Sequence, residues 1–227
     1  MGEFDPVWAL VPLKPPEEAK SRLAPLLGPA ERADFARHMA RDVLAALRSA
    51  RAIAGIALLA ADDRAAAVAD GLPCRLLVDE QPGDLCASLV AAARRLGADG
   101  ATTALIVPAD LPALTGADVD ALLAAHRGGV SVAAAARDGG TNGLVLTPPG
   151  AIPCLFGPDS AARHLAAAHE RGLVATRCTL PGFARDIDTV DDVRWLCEQT
   201  PGISARDYLD RSGICGRALA RHEAHRA

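Results

Sequence analysis

The sequence is poor in aromatic residues, which make up only 3% of its 227 positions. Ala, Leu and Val dominate the apolar half of the chain, so the core is expected to consist of small and medium aliphatic side chains. The net charge is −4, and no basic stripe with interleaved aromatic residues is present. This composition argues against a nucleic-acid polymer as partner, because such surfaces rely on cations and stacking side chains.

Cysteine pairs and long apolar runs are also missing. The six cysteines include no C-x-x-C pair, and their spacing matches no zinc-binding pattern. No apolar run approaches the roughly 18 residues that a membrane span requires, and the N-terminus lacks the basic and apolar regions of a signal peptide. These absences predict a reduced, cytoplasmic protein without a membrane partner.

The common nucleotide-binding loops do not occur. Neither G-x-x-x-x-G-K-[ST] nor G-x-G-x-x-G is found in the sequence, which excludes a P-loop and the dinucleotide-binding fingerprint. The histidines, His126 and His164 among them, lack the spacing of metal ligands, and no H-E-x-x-H motif is present. Any nucleotide chemistry must therefore use another kind of site.

Short β-branched or Leu-rich segments alternate with Ala-rich helical segments along most of the chain. This alternation predicts a single α/β domain over residues 1–199, built on a mostly parallel, doubly wound, Rossmann-like sheet with helices on both faces. Residues 200–227 are polar and contain Gly, Arg and His. They are predicted to form a tail that is either loosely packed or used in self-association.

Three aspartates lie where such a sheet places its ligand crevice. Asp110 follows an apolar strand in V-P-A-D-L-P, at the carboxyl end of the strand. Asp186 and Asp188 lie two apart in R-D-I-D-T, so in an extended segment their side chains point to the same side. Carboxylate oxygens suit Mg²⁺, and one or two ions would assist phosphoryl or nucleotidyl transfer.

Helix capping is the alternative explanation for these aspartates. Asp188 precedes a predicted helix that starts near Val190, and an aspartate there is a common N-cap. For Asp188 alone, a cap and a metal ligand are equally compatible with the pattern. Asp110 is a weaker cap candidate, because the next helix is predicted to begin only after Thr115.

The first βα loop carries three cations, Lys14, Lys20 and Arg22, in the segment V-P-L-K-P-P-E-E-A-K-S-R-L. Phosphates bind at this loop in doubly wound folds, and charge-assisted contacts from Lys and Arg hold them there. The alternative is an ordinary solvated loop. Its position at the carboxyl edge of the sheet, beside Asp110, favours phosphate binding.

Two further segments are candidates for anion binding. D-G-G-T-N-G, which contains Thr141, predicts either a nest of backbone N–H groups or a plain hairpin turn. F-G-P-D-S, which contains Gly157, opens a helix near Ser160, and a helix N-terminus can bind a phosphate or carboxylate. Alternatively, Asp159 or Ser160 is only the N-cap of that helix.

The order of these segments resembles one protein family. The matching segments are V-P-L-K-P, A-K-S-R-L, V-P-A-D-L-P, G-G-T-N-G, F-G-P-D-S-A and R-D-I-D-T. Together they resemble the guanylyltransferases of deazaflavin-coenzyme biosynthesis, the CofC/FbiD family, a branch of the MobA-like nucleotidyltransferases. The resemblance covers about residues 7 to 199.

This resemblance implies a cytoplasmic, homodimeric enzyme that transfers GMP from GTP to a small phosphorylated three-carbon acid and releases pyrophosphate. The acids that the family uses are phosphoenolpyruvate, 2-phospholactate and 3-phosphoglycerate. The resemblance assigns Mg²⁺ to the three aspartates named above. It assigns the acid to Thr141, Gly157 and Ser160, and GTP to Lys14, Lys20, Arg22 and Cys86.

Cys86 is a departure from the family pattern, because the chain reads G-D-L-C-A-S where the family often has G-L-N-A-A. An asparagine offers both a donor and an acceptor, whereas a thiol offers neither well. The acceptor acid or the base contact is therefore expected to differ.

Two other functions are alternatives to a guanylyltransferase of this family. One is another MobA-like enzyme that acts on a sugar phosphate or molybdopterin, although the usual glycine-rich loop of such enzymes is missing here. The other is a non-catalytic nucleotide-binding module.

Overall fold

A computed structural model describes residues 6–14, 20–62, 67–69, 71–81 and 83–224, and only the backbone of 221–224. The strands are β1 (Val7–Leu13), β2 (Ile53–Ala60), β3 (Arg75–Val78), β4 (Thr103–Ile106), β5 (Gly129–Ala134), β6 (Thr141–Thr147) and β7 (Ala175–Cys178). The α-helices are α1 (Pro29–Ser49), α2 (Leu85–Ala98), α3 (Gly116–Ala125), α4 (Ser160–Glu170), α5 (Val190–Cys197), α6 (Ser204–Arg211) and α7 (Ile214–Ala224).

The strands form one sheet in the order β3-β2-β1-β4-β6-β5-β7. All strands run parallel except β6, which is antiparallel to both of its neighbours. The reversal follows from the short connection 135–140 between β5 and β6, because a parallel crossover needs a dozen or more residues. The predicted α/β, mostly parallel, doubly wound sheet is confirmed.

Helices cover both faces of the sheet, because buried residues alternate along the central strands. On β2, Ile56 and Leu58 pack on one face with α1 and α3, while Ala57 and Leu59 pack on the other face with α2 and α4. This alternation is the period-two pattern of a strand that is buried on both sides. Among the described residues no helix is long and apolar enough to cross a membrane.

The C-terminal residues pack more closely than their polar composition predicted. Leu209 of α6 and Ile214 and Ala218 of α7 are fully buried, and they join a third apolar cluster with α1 and α5. Both Asp42 carboxylate oxygens accept backbone N–H groups at the start of α6, from Ser204 and Ala205, at 2.8 Å. The expectation of a loosely packed tail is therefore wrong for these helices, whereas their use in self-association stays a prediction.

The prediction that all cysteines are reduced is wrong for one pair. Cys197 at the end of α5 and Cys215 in α7 form a disulfide. This bond joins the helix that follows the aspartate segment to the C-terminal helix. Cys74, Cys86, Cys154 and Cys178 are free thiols.

Candidate functional site

The three predicted aspartates meet at the carboxyl edge of the sheet. Asp110 follows β4, and Asp186 and Asp188 lie just before α5. One carboxylate oxygen of each lies within 4.8 Å of the other two. The backbone N–H of the buried Ile187, which separates Asp186 from Asp188, donates to the carbonyl of Asp110 at 3.1 Å. That bond fixes the two segments against each other.

Capping does not explain these aspartates. Helix α5 is capped by Thr189, whose hydroxyl accepts the N–H of Asp192, while the Asp192 carboxylate accepts from Thr189 in return. Helix α3 is capped by Thr115 in the same way. The Asp188 side chain is thus free for other contacts, and the capping interpretation of Asp188 is wrong.

A lysine from the first βα loop lies between two of the carboxylates. The Lys20 ammonium donates to Oδ2 of Asp110 at 2.6 Å and to Oδ1 of Asp188 at 2.7 Å. The Lys20 side chain is only 9% exposed. Its backbone adopts a left-handed conformation, with φ of 58°, which is uncommon outside glycine. The predicted cationic loop therefore reaches the aspartates through this residue.

The electrostatics of the cluster set its charge state. Burial raises the pKa of the Asp186 carboxyl, and the neighbouring Asp110 carboxylate raises it further. Burial also acts to raise the pKa of Asp188, but the Lys20 ammonium outweighs it, so the pKa lies below its usual value. Desolvation opposes the charge on Lys20, yet the two carboxylates raise the pKa of its ammonium above the ordinary value. The three carboxylates thus share one buried ammonium, with the exposed guanidinium of Arg22 beside Asp188.

The residues present fit a divalent metal ion. The donor set is three carboxylates, the hard oxygen ligands that Mg²⁺ prefers. Oδ1 of Asp110 is buried without a hydrogen-bond partner among the described residues. A buried carboxylate oxygen without a partner is costly, and a cation is the ligand that satisfies it best. Asp110, Asp186 and Asp188 are therefore the residues that would hold the metal.

Arg137, which sequence reasoning missed, approaches the cluster from the β5–β6 turn. Its guanidinium donates to Asp192 at 2.9 Å and lies 3.9 Å from the Asp186 carboxylate. Arg137, Arg185, Asp186 and Asp192 line a cavity of about 250 Å³. No sequence motif marks Arg137, because its partners lie some fifty residues further along the chain.

The hydroxyl groups predicted to bind an acid lie together on the other side of this turn. Ser160 Oγ donates to Thr141 Oγ1 at 3.0 Å, and the same Thr141 oxygen lies 3.0 Å from Nδ1 of His164. Ser160 and His164 are fully buried, and Thr141 is 5% exposed. Asn142, next to Thr141, donates to the carbonyl of Phe183, so this cluster adjoins the segment that leads to Asp186.

His164 was not recognised as a site residue from the sequence. Its ring packs edge-on against Phe156, with centroids 5.2 Å apart, and its Nε2 accepts the backbone N–H of Leu155 at 2.8 Å. The available signal was the spacing of four between Ser160 and His164, which places both on one face of a helix. Burial lowers the pKa of His164 to about 4, so the ring is neutral at physiological pH.

The start of α4 differs from the two predictions made for it, an anion-binding N-terminus and a side-chain cap. Asp159 occupies the N-cap position but makes no side-chain capping bond. The N–H groups of Ser160 and Ala161 donate to the carbonyls of Gly157 and Gly139, so neither is free for an anion. Gly157 has φ of 125°, and a β-carbon there would lie 3.3 Å from the Arg163 guanidinium. Direct binding of an acid by Gly157 and Ser160 stays a prediction.

The D-G-G-T-N-G segment is a hairpin turn rather than an open nest. The Asp138 carboxylate accepts the N–H of Gly140 at 2.9 Å, which closes the turn locally. The carbonyl of Gly139 accepts the N–H of Ala161. The turn therefore holds the start of α4 beside Thr141.

The remaining predicted residues are exposed or lie away from the aspartates. Lys14 is exposed at the end of β1, and residues 15–19 lie outside the described part of the chain. Arg22 is 74% exposed, with its guanidinium 3.5 Å from Asp188. Cys86 lines a different cavity of about 410 Å³, between α2 and the segment that contains Cys154. The roles of these residues in GTP binding stay predictions.

Comparison with known proteins gives, over nearly the whole chain, the guanylyltransferase family that the sequence motifs resemble. The family model described as "Guanylyl transferase CofC like" matches residues 7–222. A phosphoenolpyruvate guanylyltransferase of Roseiflexus castenholzii is 41% identical, over 91% of this chain and 97% of its own. A 2-phospho-L-lactate guanylyltransferase of Methanothermobacter thermautotrophicus is 33% identical, over 88% of each chain.

A solved structure supports the fold alone. A nucleotidyl transferase from Methanothermobacter thermautotrophicus matches with a TM-score of 0.60 at 18% sequence identity. The match covers 92% of this chain and 99% of that one. The doubly wound sheet and its helices are thus shared with a nucleotidyl transferase.

Proposed function

This chain belongs to the family of CofC-like guanylyl transferases, and from that premise we propose that it transfers GMP from GTP to a small phosphorylated three-carbon acid. The acid is phosphoenolpyruvate or 2-phospholactate, the acceptors named for its relatives, or the similar 3-phosphoglycerate. The observation that carries the proposal is the convergence of Asp110, Asp186 and Asp188, with one carboxylate oxygen of each within 4.8 Å of the other two.

The proposed reaction needs no protein nucleophile. An oxygen of the acid's phosphate attacks the α-phosphorus of GTP, a new phosphoanhydride bond forms, and the bond to the β-phosphate breaks. Pyrophosphate leaves with that electron pair. A phosphate monoester is largely ionised at pH 7, so the attacking oxygen requires no general base. Catalysis then depends on positioning and on stabilising the charge at the transferred phosphoryl group.

The chain has residues for positioning the substrates and for stabilising this charge. Asp110, Asp186 and Asp188 would hold Mg²⁺, which when bound supplies charge neutralisation at the phosphates. Lys20 and Arg22 lie beside these aspartates and would contact the triphosphate, together with the exposed Lys14. Thr141 would bind the acid through its hydroxyl group. The two substrates would then meet at one edge of the sheet, as in other open α/β sheets.

Pyrophosphate release tests this function. The purified protein is incubated with GTP and Mg²⁺ and, in separate reactions, with each of the three acids at equal concentration. Release with at least one acid is expected, with ATP and CTP in place of GTP as controls. If no acid supports release while a sugar phosphate does, the acceptor assignment is wrong.

The homodimer and the cytoplasmic location stay predictions. Light scattering of the purified chain measures the oligomeric state.

A further inference from the structure

The hydrogen-bond pattern of the Thr141 hydroxyl determines what kind of group it can bind. A backbone N–H can only donate, so Nε2 of His164, which faces the N–H of Leu155 at 2.8 Å, must be the unprotonated nitrogen. In a neutral imidazole the proton then resides on Nδ1. Nδ1 lies 3.0 Å from Thr141 Oγ1 and therefore donates to it.

Ser160 fills the second acceptor position of the same oxygen, because its hydroxyl also donates to Thr141 Oγ1 at 3.0 Å. A hydroxyl group has two acceptor lone pairs and one proton. With both lone pairs occupied, Thr141 can only donate its own proton. Of the three residues, Thr141 alone retains any exposure, at 5%, whereas Ser160 and His164 have none.

We propose that His164 is a positioning residue that fixes the Thr141 hydroxyl as an obligate hydrogen-bond donor to an anionic oxygen of the acceptor acid. The oxygen belongs to a carboxylate or a phosphoryl group, since both accept hydrogen bonds and carry no proton at neutral pH. The inference rests on the proposed function, because it assigns this cluster to the acid rather than to GTP.

His164 also holds the second segment that the family resemblance connects with the acid. Its bond to Leu155 and its edge-on contact with Phe156 anchor residues 155–156, directly before Gly157. One buried ring thus sets the direction of the Thr141 hydroxyl and the path of the glycine segment.

The tautomer of His164 can be measured without any variant. Long-range ¹H–¹⁵N correlation spectra of the histidine side chains, assigned in the wild-type protein through the Cβ and backbone resonances of His164, identify the protonated nitrogen. We expect the Nδ1–H tautomer between pH 6 and pH 8. A signal from the Nε2–H tautomer, or from the doubly protonated ring, overturns the proposal even if the variants do not fold.

A pair of variants separates the two bonds of the ring. His164→Asn keeps an amide donor near the position of Nδ1, whereas His164→Gln keeps an acceptor near that of Nε2 but no donor toward Thr141. In steady-state kinetics, His164→Gln should raise KM for the acid by about tenfold and leave KM for GTP unchanged. His164→Asn keeps the donor toward Thr141 but loses the bond to Leu155, so it should raise KM for the acid by less, about threefold. A rise in both KM values, or equal losses in the two variants, overturns the proposal.

A double-mutant cycle tests whether His164 acts through Thr141. In a Thr141→Val background, His164→Gln should cause no further change in KM for the acid, because the hydroxyl that it orients is gone. Additive effects contradict the proposal. If wild-type protein releases no pyrophosphate with any acid, the proposed function fails instead, while the tautomer measurement still decides the state of His164.

Discussion

The ammonium of Lys20 lies 2.6 Å from Oδ2 of Asp110, one of the three residues that would hold a divalent metal. The same ammonium is 2.7 Å from Asp188 and almost fully buried. Two cations that share these oxygens would repel each other strongly in a partly desolvated site. Where the metal takes an oxygen that Lys20 now contacts, we expect Lys20 to release that carboxylate and to contact a phosphate instead.

Replacing Lys20 with methionine tests this competition. Without nucleotide, Lys20→Met should bind Mn²⁺ about tenfold more tightly than the wild type, because the competing ammonium is absent. Its affinity for GTP should fall, since a charge-assisted contact to the triphosphate is lost. Titration calorimetry with Mn²⁺ and with GTP measures both, and Lys14→Met serves as the matched control for the Mn²⁺ titration. Unchanged or weaker Mn²⁺ binding by Lys20→Met contradicts the idea.

Asp188→Asn should abolish most activity without unfolding the protein. Thr189 and Asp192 cap α5, so Asp188 makes no contribution to that cap. The substitution removes a charged ligand oxygen, and we expect turnover to fall by at least about 100-fold at limiting Mg²⁺. The control is Thr189→Ala, which should cost about 1 kcal/mol of stability and keep metal binding. Full activity of Asp188→Asn at limiting Mg²⁺ would refute the metal assignment.

The disulfide between Cys197 and Cys215 should stabilise the C-terminal helices without affecting catalysis. It closes a loop with a sequence separation of 18 residues, and a bond across a loop of that length is typically worth about 3 kcal/mol. We expect Cys197→Ser, or treatment with a reductant, to lower the melting temperature while KM for GTP and for the acid stay constant. Cys178→Ser is the control for a free thiol. A change in either KM would indicate that α7 influences the site.

Much of the fold could be predicted from the sequence, because buried strands and amphipathic helices have different periods. The alternation of strand and helix segments predicted the doubly wound sheet, and the aspartates lie at the strand edge where the sheet places its crevice. The packing of the C-terminal segment could not be predicted. Leu209, Ile214 and Ala218 are few and separated by polar residues, and only contact with α1 and α5 makes them a core.

The sequence predicted which types of side chain form the site, but not the contacts between them. The contacts of Lys20 join residues 90 and 168 positions apart in sequence, so no local pattern indicates them. The choice of cap for α5 was also undetermined, since Asp188 and Thr189 are adjacent and both types cap helices well. His164 was missed because a buried histidine with a low pKa shows no motif until its partners are known.

Asp42 should make the stability of the protein fall as the pH rises through the weakly acidic range. Burial raises the pKa of its carboxyl from 3.8 to about 6, against the effect of the two N–H groups that it accepts. Between these values the folded state binds more protons than the unfolded chain, so the unfolding free energy decreases as pH increases from 4 to 7. Allowing for partial exposure, the change is on the order of 1–2 kcal/mol.

The variant Asp42→Asn isolates this contribution, because it cannot titrate at position 42. Its overall stability will differ from that of the wild type, since an amide offers only one acceptor oxygen to the two N–H groups of α6. The informative quantity is therefore the slope of unfolding free energy against pH, from urea titrations between pH 4.5 and pH 7.5. We expect the wild-type slope to be the more negative one. Equal slopes would mean that Asp42 titrates near its ordinary value and that its partners outweigh its burial.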